Sequence, residues 1–454
     1  MNSDFAIEDK ILEEYFELLR FPSVGADPQK LRDSVNCAMW LKKWLGELGF
    51  NCKLEYASGF LGAPPVLFAE RSGEEGTPAV LFYGHYDVQP PDPLEEWKAD
   101  PFDPVLAENG RVYARGSQDD KGQFFSFLCG MRKLILSGAK MPTVKILLEG
   151  QEETGSAMLT ALAEEMAESL AADVLVVCDT SAGPGLQPAI VAGLRGVSHF
   201  TVRLDGASRD LHSGEHGGIA PNPAAGIAKL VASLHNPDGS IAVRGFCDRV
   251  SPPAQREREL AENAAVTPEE YEKDVGAPPE GGEEGLTLTE RNSFRPTIEV
   301  NGIHSGYGGP GSKTVIPSTA FAKISMRLVP DQSPREVFAL VKEHLERNTP
   351  RGMRLSVEEA NEGLPGFRLP VNSPIFRLAE SLLEELDERG PVFQWDGASI
   401  PIVSTLARVS GAAPLLVGFG QSEDRIHAPN ESYSLKQFSL AMRWAEKILG
   451  ALAE

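Results

Sequence analysis

The clearest indication of the fold class is the segment AVLFYGHYDVQP (residues 79–90). It opens with a short, unbroken apolar run, which is typical of a strand buried on both faces of a sheet. Helical patterns occur at 121–136 and 157–170. We therefore predict an α/β fold whose central, mostly parallel sheet is covered by helices. Four further runs of the same kind are PPVLFAE (64–70), VKILLEG (144–150), ADVLVVCD (172–179) and APLLVGFG (413–420).

The middle of the chain follows a different pattern. RGVSHFTVRLDG (195–206) alternates polar and apolar residues, as a strand with one solvated face does. Residues 250–292 are rich in Pro, Gly and Glu, which indicates a long excursion rather than core. We expect an α+β domain at 195–365, inserted into a domain that is built from 1–194 and 366–454.

Composition limits the classes of partner. The 454 residues carry 43 Lys and Arg against 65 Asp and Glu, a net charge of −22. This excess of carboxylates argues against nucleic-acid and membrane-surface binding, because both require basic patches facing phosphate. The five cysteines never stand in C-x-x-C spacing, and neither a signal peptide nor an apolar run of about 18 residues is visible. We expect a cytoplasmic protein with no membrane and no nucleic-acid partner.

Chemically reactive side chains follow the predicted strands or stand in glycine-tight turns. Two imidazoles and three carboxylates form a nitrogen and oxygen donor set that suits Zn²⁺, Mn²⁺ or Co²⁺. Two such ions, three carboxylates and one bridging hydroxide sum to zero charge. A lone histidine at a strand end is more often structural, but three motifs that place charge in such positions favour a site. The five candidates are His85, Asp119, Glu153, Asp179 and His427.

Seven motifs in register resemble the M20 family of dinuclear metallopeptidases, and its cytosolic dipeptidase and carnosinase-like branch in particular. They are GHYDVQP, RGSQDDKGQ, EGQEETGS, DLHSGEHGG, GSKTVIP, ISMRLVP and HAPNE. The resemblance implies two divalent ions per chain, zinc foremost, with Asp119 bridging them. His85 and Asp179 would complete one site, and Glu153 and His427 the other. It also implies that the inserted domain is a lid that mediates homodimerisation.

The resemblance gives two further carboxylates a role in catalysis. Asp87 would accept a hydrogen bond from the His85 ring, which fixes its tautomer and raises its basicity as a ligand. Glu152, which is not a ligand, would be the general base. The family pattern also suggests a cis peptide bond between Asp119 and Asp120.

Further roles in substrate binding follow from the same resemblance. His212 would reach across the dimer and donate a hydrogen bond to the oxyanion, while Arg327 would bind the C-terminal carboxylate of the substrate. Thr314 and Ser399 are weaker candidates for substrate hydrogen bonds. The spacing of His212 and His216 would suit a metal pair on a helix, but the glycines around them argue against a helix there.

We therefore predict a metal-dependent hydrolase that cleaves the peptide bond of dipeptides or small peptides with a free C-terminal carboxylate. A metal-bridging hydroxide and the Glu152 base would carry the reaction. The alternatives are an N-acyl-amino-acid deacylase with the same centre and, from another class, a catalytically inactive binding protein. Carnosinase-like members often carry a histidine before a G-x-P-aromatic segment, whereas this chain reads NEGLPGF over residues 361–367 and has no histidine between His344 and His427. The preferred dipeptide therefore stays open.

Overall fold

The structure, a computed structural model, describes residues 7–60, 62–263, 265–397 and 400–454. The chain divides into two units. The first unit comprises Met1–Ala192, Leu369–Gln394 and Ile402–Glu454, and the second unit comprises Gly193–Arg368 and Trp395–Pro401.

Helices and strands occur throughout the described part of the chain. Within the described residues the α-helices are α1 (Asp9–Leu19), α2 (Leu31–Glu47), α3 (Lys121–Leu136), α4 (Ala157–Glu165), α5 (Ala167–Leu170), α6 (Ser213–His216), α7 (Pro223–Ala232), α8 (Gln255–Glu262), α9 (Pro268–Val275), α10 (Pro334–Arg347), α11 (Pro374–Leu386), α12 (Pro401–Ser410) and α13 (Leu435–Ala451). The strands are β1 (Asn51–Glu55), β2 (Val66–Arg71), β3 (Val80–His85), β4 (Val105–Leu106), β5 (Arg111–Tyr113), β6 (Val144–Glu149), β7 (Val174–Val177), β8 (Ala189–Leu194), β9 (Gly196–Asp205), β10 (Leu211–His212), β11 (Thr297–Ser305), β12 (Val315–Ile316), β13 (Thr319–Leu328), β14 (Arg354–Leu364), β15 (Phe367–Arg368), β16 (Val392–Asp396), β17 (Ala413–Leu416) and β18 (Ser432–Ser434).

The main sheet of the first unit confirms the predicted α/β class. Its strands follow the order β1-β2-β6-β3-β7-β17-β8. The four central strands β6, β3, β7 and β17 are parallel, and β1 runs in the same direction, whereas β2 and β8 run antiparallel to their neighbours. Most of these strands are therefore parallel, as predicted, although the sheet is mixed. Every residue of β3, β6 and β7 is buried, because these runs are apolar on both faces.

The second unit contains a four-stranded antiparallel sheet in the order β11-β13-β9-β14. Strand β13 buries every second residue, as a half-buried strand does. Helices α7 and α10 pack on this sheet, and the core between them includes Phe200, Ile227, Leu230, Ile324 and Val341. The 250–292 excursion contains the short helices α8 and α9.

The expectation that no helix forms around His212 and His216 is wrong. Helix α6 (Ser213–His216) forms despite the neighbouring glycines, because His212 caps it: Nδ1 of His212 accepts a hydrogen bond from the Gly214 N–H at 3.0 Å. Among the described helices, none combines the length and apolar character needed to cross a bilayer.

Candidate metal centre

The parallel strands of the first unit bring the predicted ligands to one edge of the sheet. His85 is the last residue of β3, which pairs in parallel with both β6 and β7. Glu153 lies in a 3₁₀ turn (Glu152–Thr154) just after β6, and Asp179 follows β7. Because the carboxyl ends of parallel neighbours meet at one edge, these side chains converge where open α/β sheets bind ligands.

Loops supply the other two side chains. Asp119 stands just before helix α3, and the Asp119–Asp120 peptide bond is cis, as the resemblance suggested. His427 follows β17 and has a left-handed backbone with φ of 59°. A non-glycine residue in this conformation is uncommon and occurs disproportionately at functional sites.

Asp119 belongs to two groups of potential ligands. Its Oδ1 lies 3.1 Å from Nε2 of His85, which in turn lies 3.7 Å from Oδ2 of Asp179. Its Oδ2 lies 2.9 Å from Nε2 of His427, which lies 3.3 Å from Oε2 of Glu153. In each group the donor atoms lie within 4.8 Å of one another. The structure thus brings all five predicted side chains together, with one carboxylate shared.

The donors fit a pair of divalent cations. Each group offers an imidazole nitrogen and carboxylate oxygens, the donors that Zn²⁺ and similar ions prefer. Nε2 of His85 is buried and has no hydrogen-bond partner among the residues that the structure describes, although it faces two carboxylates. A buried polar atom without a partner is costly, and a cation between it and the carboxylates would satisfy it.

The electrostatics of the two groups favour positive charge. Hydrogen bonds with Asp119 and Glu153 raise the pKa of His427 to about 10. Burial alone would raise the pKa of Asp119, but the adjacent His427 and His85 rings hold it well below its usual range. The carboxylates that stabilise the protonated histidine rings would also attract a divalent cation.

Asp87 connects one ligand to the turn that carries another. Its Oδ1 lies 3.4 Å from Nδ1 of His85, and its carbonyl oxygen lies 3.2 Å from the same atom. Its two carboxylate oxygens also accept the backbone N–H groups of Glu152 and Glu153 at 3.2 and 3.1 Å. Asp87 thereby keeps the proton of His85 on Nδ1 and leaves Nε2 free to coordinate.

Glu152 belongs to neither ligand group but lies in the electrostatic field of both. Burial raises the pKa of its carboxyl to about 8, and the negative charges of Asp179, Glu149 and Glu153 act in the same direction. A carboxyl that titrates near neutral pH can both accept and return a proton. This is the property that a general base requires.

Three of the remaining predicted residues, His212, Thr314 and Arg327, lie in the second unit. Because Nδ1 of His212 accepts from Gly214, its proton sits on Nε2, which the described part of the chain leaves available as a donor on an exposed side chain. The carbonyl of Thr314 accepts the Ser213 N–H at 3.0 Å, so Thr314 adjoins this histidine. Arg327 lies on β13 opposite Val197 of β9. Ser399 lies outside the described residues.

Three buried residues beside the centre were missed at the sequence level. Oε1 of Glu149 accepts the hydroxyls of Tyr83 and Ser156, each at 2.8 Å, across the turn that carries Glu152. Glu431 and Arg115 pair at 2.8 Å and are almost wholly buried. Each of the two acids stands inside a quoted motif, EGQEETGS or HAPNE, and that position was the available signal.

Comparisons with known proteins agree with this geometry. A model of the peptidase family M20/M25/M40 matches residues 81–451. The Beta-Ala-His dipeptidase of Rattus norvegicus is 32% identical over 383 residues, covering 82% of this chain and 76% of that protein. The Cys-Gly metallodipeptidase DUG1 of Saccharomyces cerevisiae is 28% identical over 466 residues, 98% of this chain and 96% of that protein. The structure of the M20 family metallo-carboxypeptidase Sso-CP2 from Sulfolobus solfataricus superposes with a TM-score of 0.83 at 30% identity, covering 98% and 99% of the two chains.

Proposed function

This chain belongs to the peptidase family M20/M25/M40, and from that premise we propose that it is a metal-dependent dipeptidase. The observation that carries the proposal is the shared carboxylate. Asp119 faces His85 and Asp179 with one oxygen and His427 and Glu153 with the other. We assign two divalent ions to these five ligands, zinc foremost, with manganese or cobalt as alternatives.

The bound ions would polarise the peptide carbonyl and lower the pKa of water towards 7. The side chains of this chain do the rest. Glu152 takes the proton from the attacking water and returns it to the leaving amine, since its carboxyl is buried beside the ligands without joining either group. Asp87 holds the His85 ring and the Glu152–Glu153 turn in a fixed relation throughout.

The second unit provides groups for the substrate. The guanidinium of Arg327 can bind a C-terminal carboxylate through two parallel hydrogen bonds. Nε2–H of His212 can donate to the oxyanion that forms when the carbonyl is attacked. Thr314 and Ser399 are proposed to donate hydrogen bonds to the substrate.

We further propose that the second unit, a lid and dimerisation domain, pairs two copies of the chain and places His212 in the partner's site. Strand β11 is the edge of the second unit's sheet and exposes Val300 and Ile303, the apolar edge that pairs readily with another chain. The five cysteines are all free, which fits a reducing cytoplasm.

A metallo-carboxypeptidase is the second candidate, because the solved structure with a TM-score of 0.83 bears that name. Both activities need a free C-terminal carboxylate, but only a carboxypeptidase accepts long peptides. A deacylase would instead release acetate or succinate from N-acyl amino acids.

One substrate panel decides among these functions. The purified chain, reconstituted in turn with Zn²⁺, Mn²⁺ and Co²⁺, is given dipeptides, pentapeptides and N-acyl amino acids. We expect the highest kcat/KM on dipeptides. A preference for pentapeptides or for N-acyl amino acids would overturn the dipeptidase assignment.

A further inference from the structure

We propose that Glu431 is a positioning residue that holds Asp119 in place for both ligand groups before any metal binds. The inference rests on the proposed role of Asp119 as the shared ligand. Glu431 belongs to neither ligand group, and its carboxylate contacts Asp119 through the backbone N–H. Its effect on the centre therefore passes through the backbone of the loop that carries Asp119.

The Glu431 carboxylate fills a ring of backbone donors. Its Oε1 accepts the N–H groups of Gln118 and Asp119 at 2.9 and 3.1 Å. Its Oε2 accepts the Gly116 N–H at 2.9 Å and Nη1 of Arg115 at 2.8 Å. Four donors on two oxygens nearly exhaust what a carboxylate can accept, and three of them belong to the four residues that end at Asp119.

The same loop is held from its other side. The hydroxyl of Tyr15, which is 1% exposed, donates to the Ser117 carbonyl. The Ala114 N–H donates to the Glu431 carbonyl at 3.2 Å, so backbone and side chain of Glu431 both contact the loop. The loop therefore has little freedom to move Asp119.

Glu431 also links the segment that carries His427 to the loop that carries Asp119. It stands four residues after His427, so a single short segment supplies one ligand and fixes the backbone of another. Since Asp119 faces the His85 group too, a shift of Glu431 would disturb both groups at once.

The charge on Glu431 matters as much as its position. The carboxylate is 0% exposed, and its buried counter-ion Arg115 is 1% exposed. The pair is neutral as a whole, so it adds no net charge behind Asp119. An amide in place of the carboxylate would point its own N–H₂ at backbone donors, leaving at least one of them unpaired in the interior.

The test is metal binding by Glu431→Gln. Residues that support metal ligands typically change affinity by about 10–100-fold when substituted. We expect Glu431→Gln to bind both ions about 10-fold or more weakly in competition with a chromophoric chelator. The visible spectrum of the Co²⁺-loaded variant should change as well, because the ligand geometry around Asp119 changes.

Glu257→Gln is the matched control. Glu257 is another buried acid that accepts a backbone N–H, that of Ala254 at 2.7 Å, and faces an arginine, Arg368, at 3.4 Å. It lies in the second unit, whereas the five ligands lie in the first unit. We expect this variant to lose stability while keeping wild-type affinity and the wild-type Co²⁺ spectrum.

Wild-type affinity and spectrum in Glu431→Gln would overturn the proposal. Asp119→Ala separates that result from a failure of the metal assignment: if Asp119→Ala also binds two ions normally, the assignment itself is wrong. Should Glu431→Gln not fold, hydrogen exchange of the wild-type protein decides. The amides of Gln118 and Asp119 should be protected in the metal-free protein, and protection that arises only after metal addition would overturn the proposal.

Discussion

Nε2 of His427 lies 2.9 Å from Oδ2 of Asp119. This contact joins a loop near the C-terminal helix to the loop that precedes α3, and it makes Asp119 a member of both ligand groups. The metal chemistry proposed for the chain depends on this sharing.

Asp119→Ala should therefore affect both ions, whereas Asp179→Ala should affect one, because Asp179 belongs only to the His85 group. Elemental analysis after reconstitution and gel filtration measures the content. We expect about two ions for wild type, about one for Asp179→Ala, and none or one loosely held for Asp119→Ala. At most one ion in the wild type would contradict the dinuclear centre.

Glu152→Gln should retain its metal and lose rate. The amide cannot accept the proton, and general acid–base catalysis contributes roughly 10²–10⁴-fold. The measurement is kcat alongside metal content, with Glu165→Gln on an exposed position of α4 as the control for removal of one negative charge. Near-normal turnover in Glu152→Gln would assign the base to another group.

Dipeptide amides lack the carboxylate that the guanidinium of Arg327 binds, so we expect the wild type to show a higher KM for them than for dipeptides. Arg327→Ala should raise KM for dipeptides and leave KM for the amides almost unchanged. Lys323→Ala is the control, since Lys323 lies on the same strand and, four residues away, on the same face. Equal losses on both substrate types would argue for a structural role of Arg327.

His212→Ala should be nearly inactive with its metals intact, because one oxyanion donor contributes about 10²–10³ in rate. His216→Ala, at the other end of helix α6, should remain active.

If His212 acts in the partner's site, a mixed dimer of His212→Ala and Glu152→Gln contains one site with both defects and one with neither. Mixing the two variants should then restore activity, towards half per mixed dimer. No rescue, with subunit exchange confirmed independently, would falsify the trans arrangement.

Glu149→Gln should become more stable than wild type as pH rises. Burial, with the charge of Asp87, raises the pKa of Glu149 to about 7, against about 4.3 for an unfolded glutamate. The folded state thus holds this proton more tightly than the unfolded state does. The proton's contribution to the free energy of unfolding is complete below about pH 4 and is lost as pH rises through 7. Glutamine mimics the protonated acid, so its free energy of unfolding should lack this loss, on the order of 3 kcal/mol.

Urea unfolding of the metal-free proteins at pH 5 and pH 8 measures the difference. Glu165→Gln serves again as the exposed control and should show the same pH dependence as wild type. A gap between Glu149→Gln and wild type that does not change with pH would show that Glu149 is ionised throughout.

Local sequence patterns were sufficient to predict the α/β class and the five potential ligands. Buried strands such as β3 leave a continuous apolar record, and a polar residue at the end of such a run, as His85 is, stands out against it. The motif order then indicated the family, which the match over residues 81–451 shows.

The pairing of the outer strands and the buried groups that lie beside the ligands could not be predicted in this way and became visible in the folded chain. Strands β2 and β8 are as apolar as their parallel neighbours, so nothing in their composition reveals that they run antiparallel. Likewise the letters of HAPNE do not show that Glu431 accepts the backbone N–H of Asp119, because that bond joins segments 312 residues apart. Such contacts join residues that are distant in sequence, and the tertiary fold rather than the local sequence determines which of them come together.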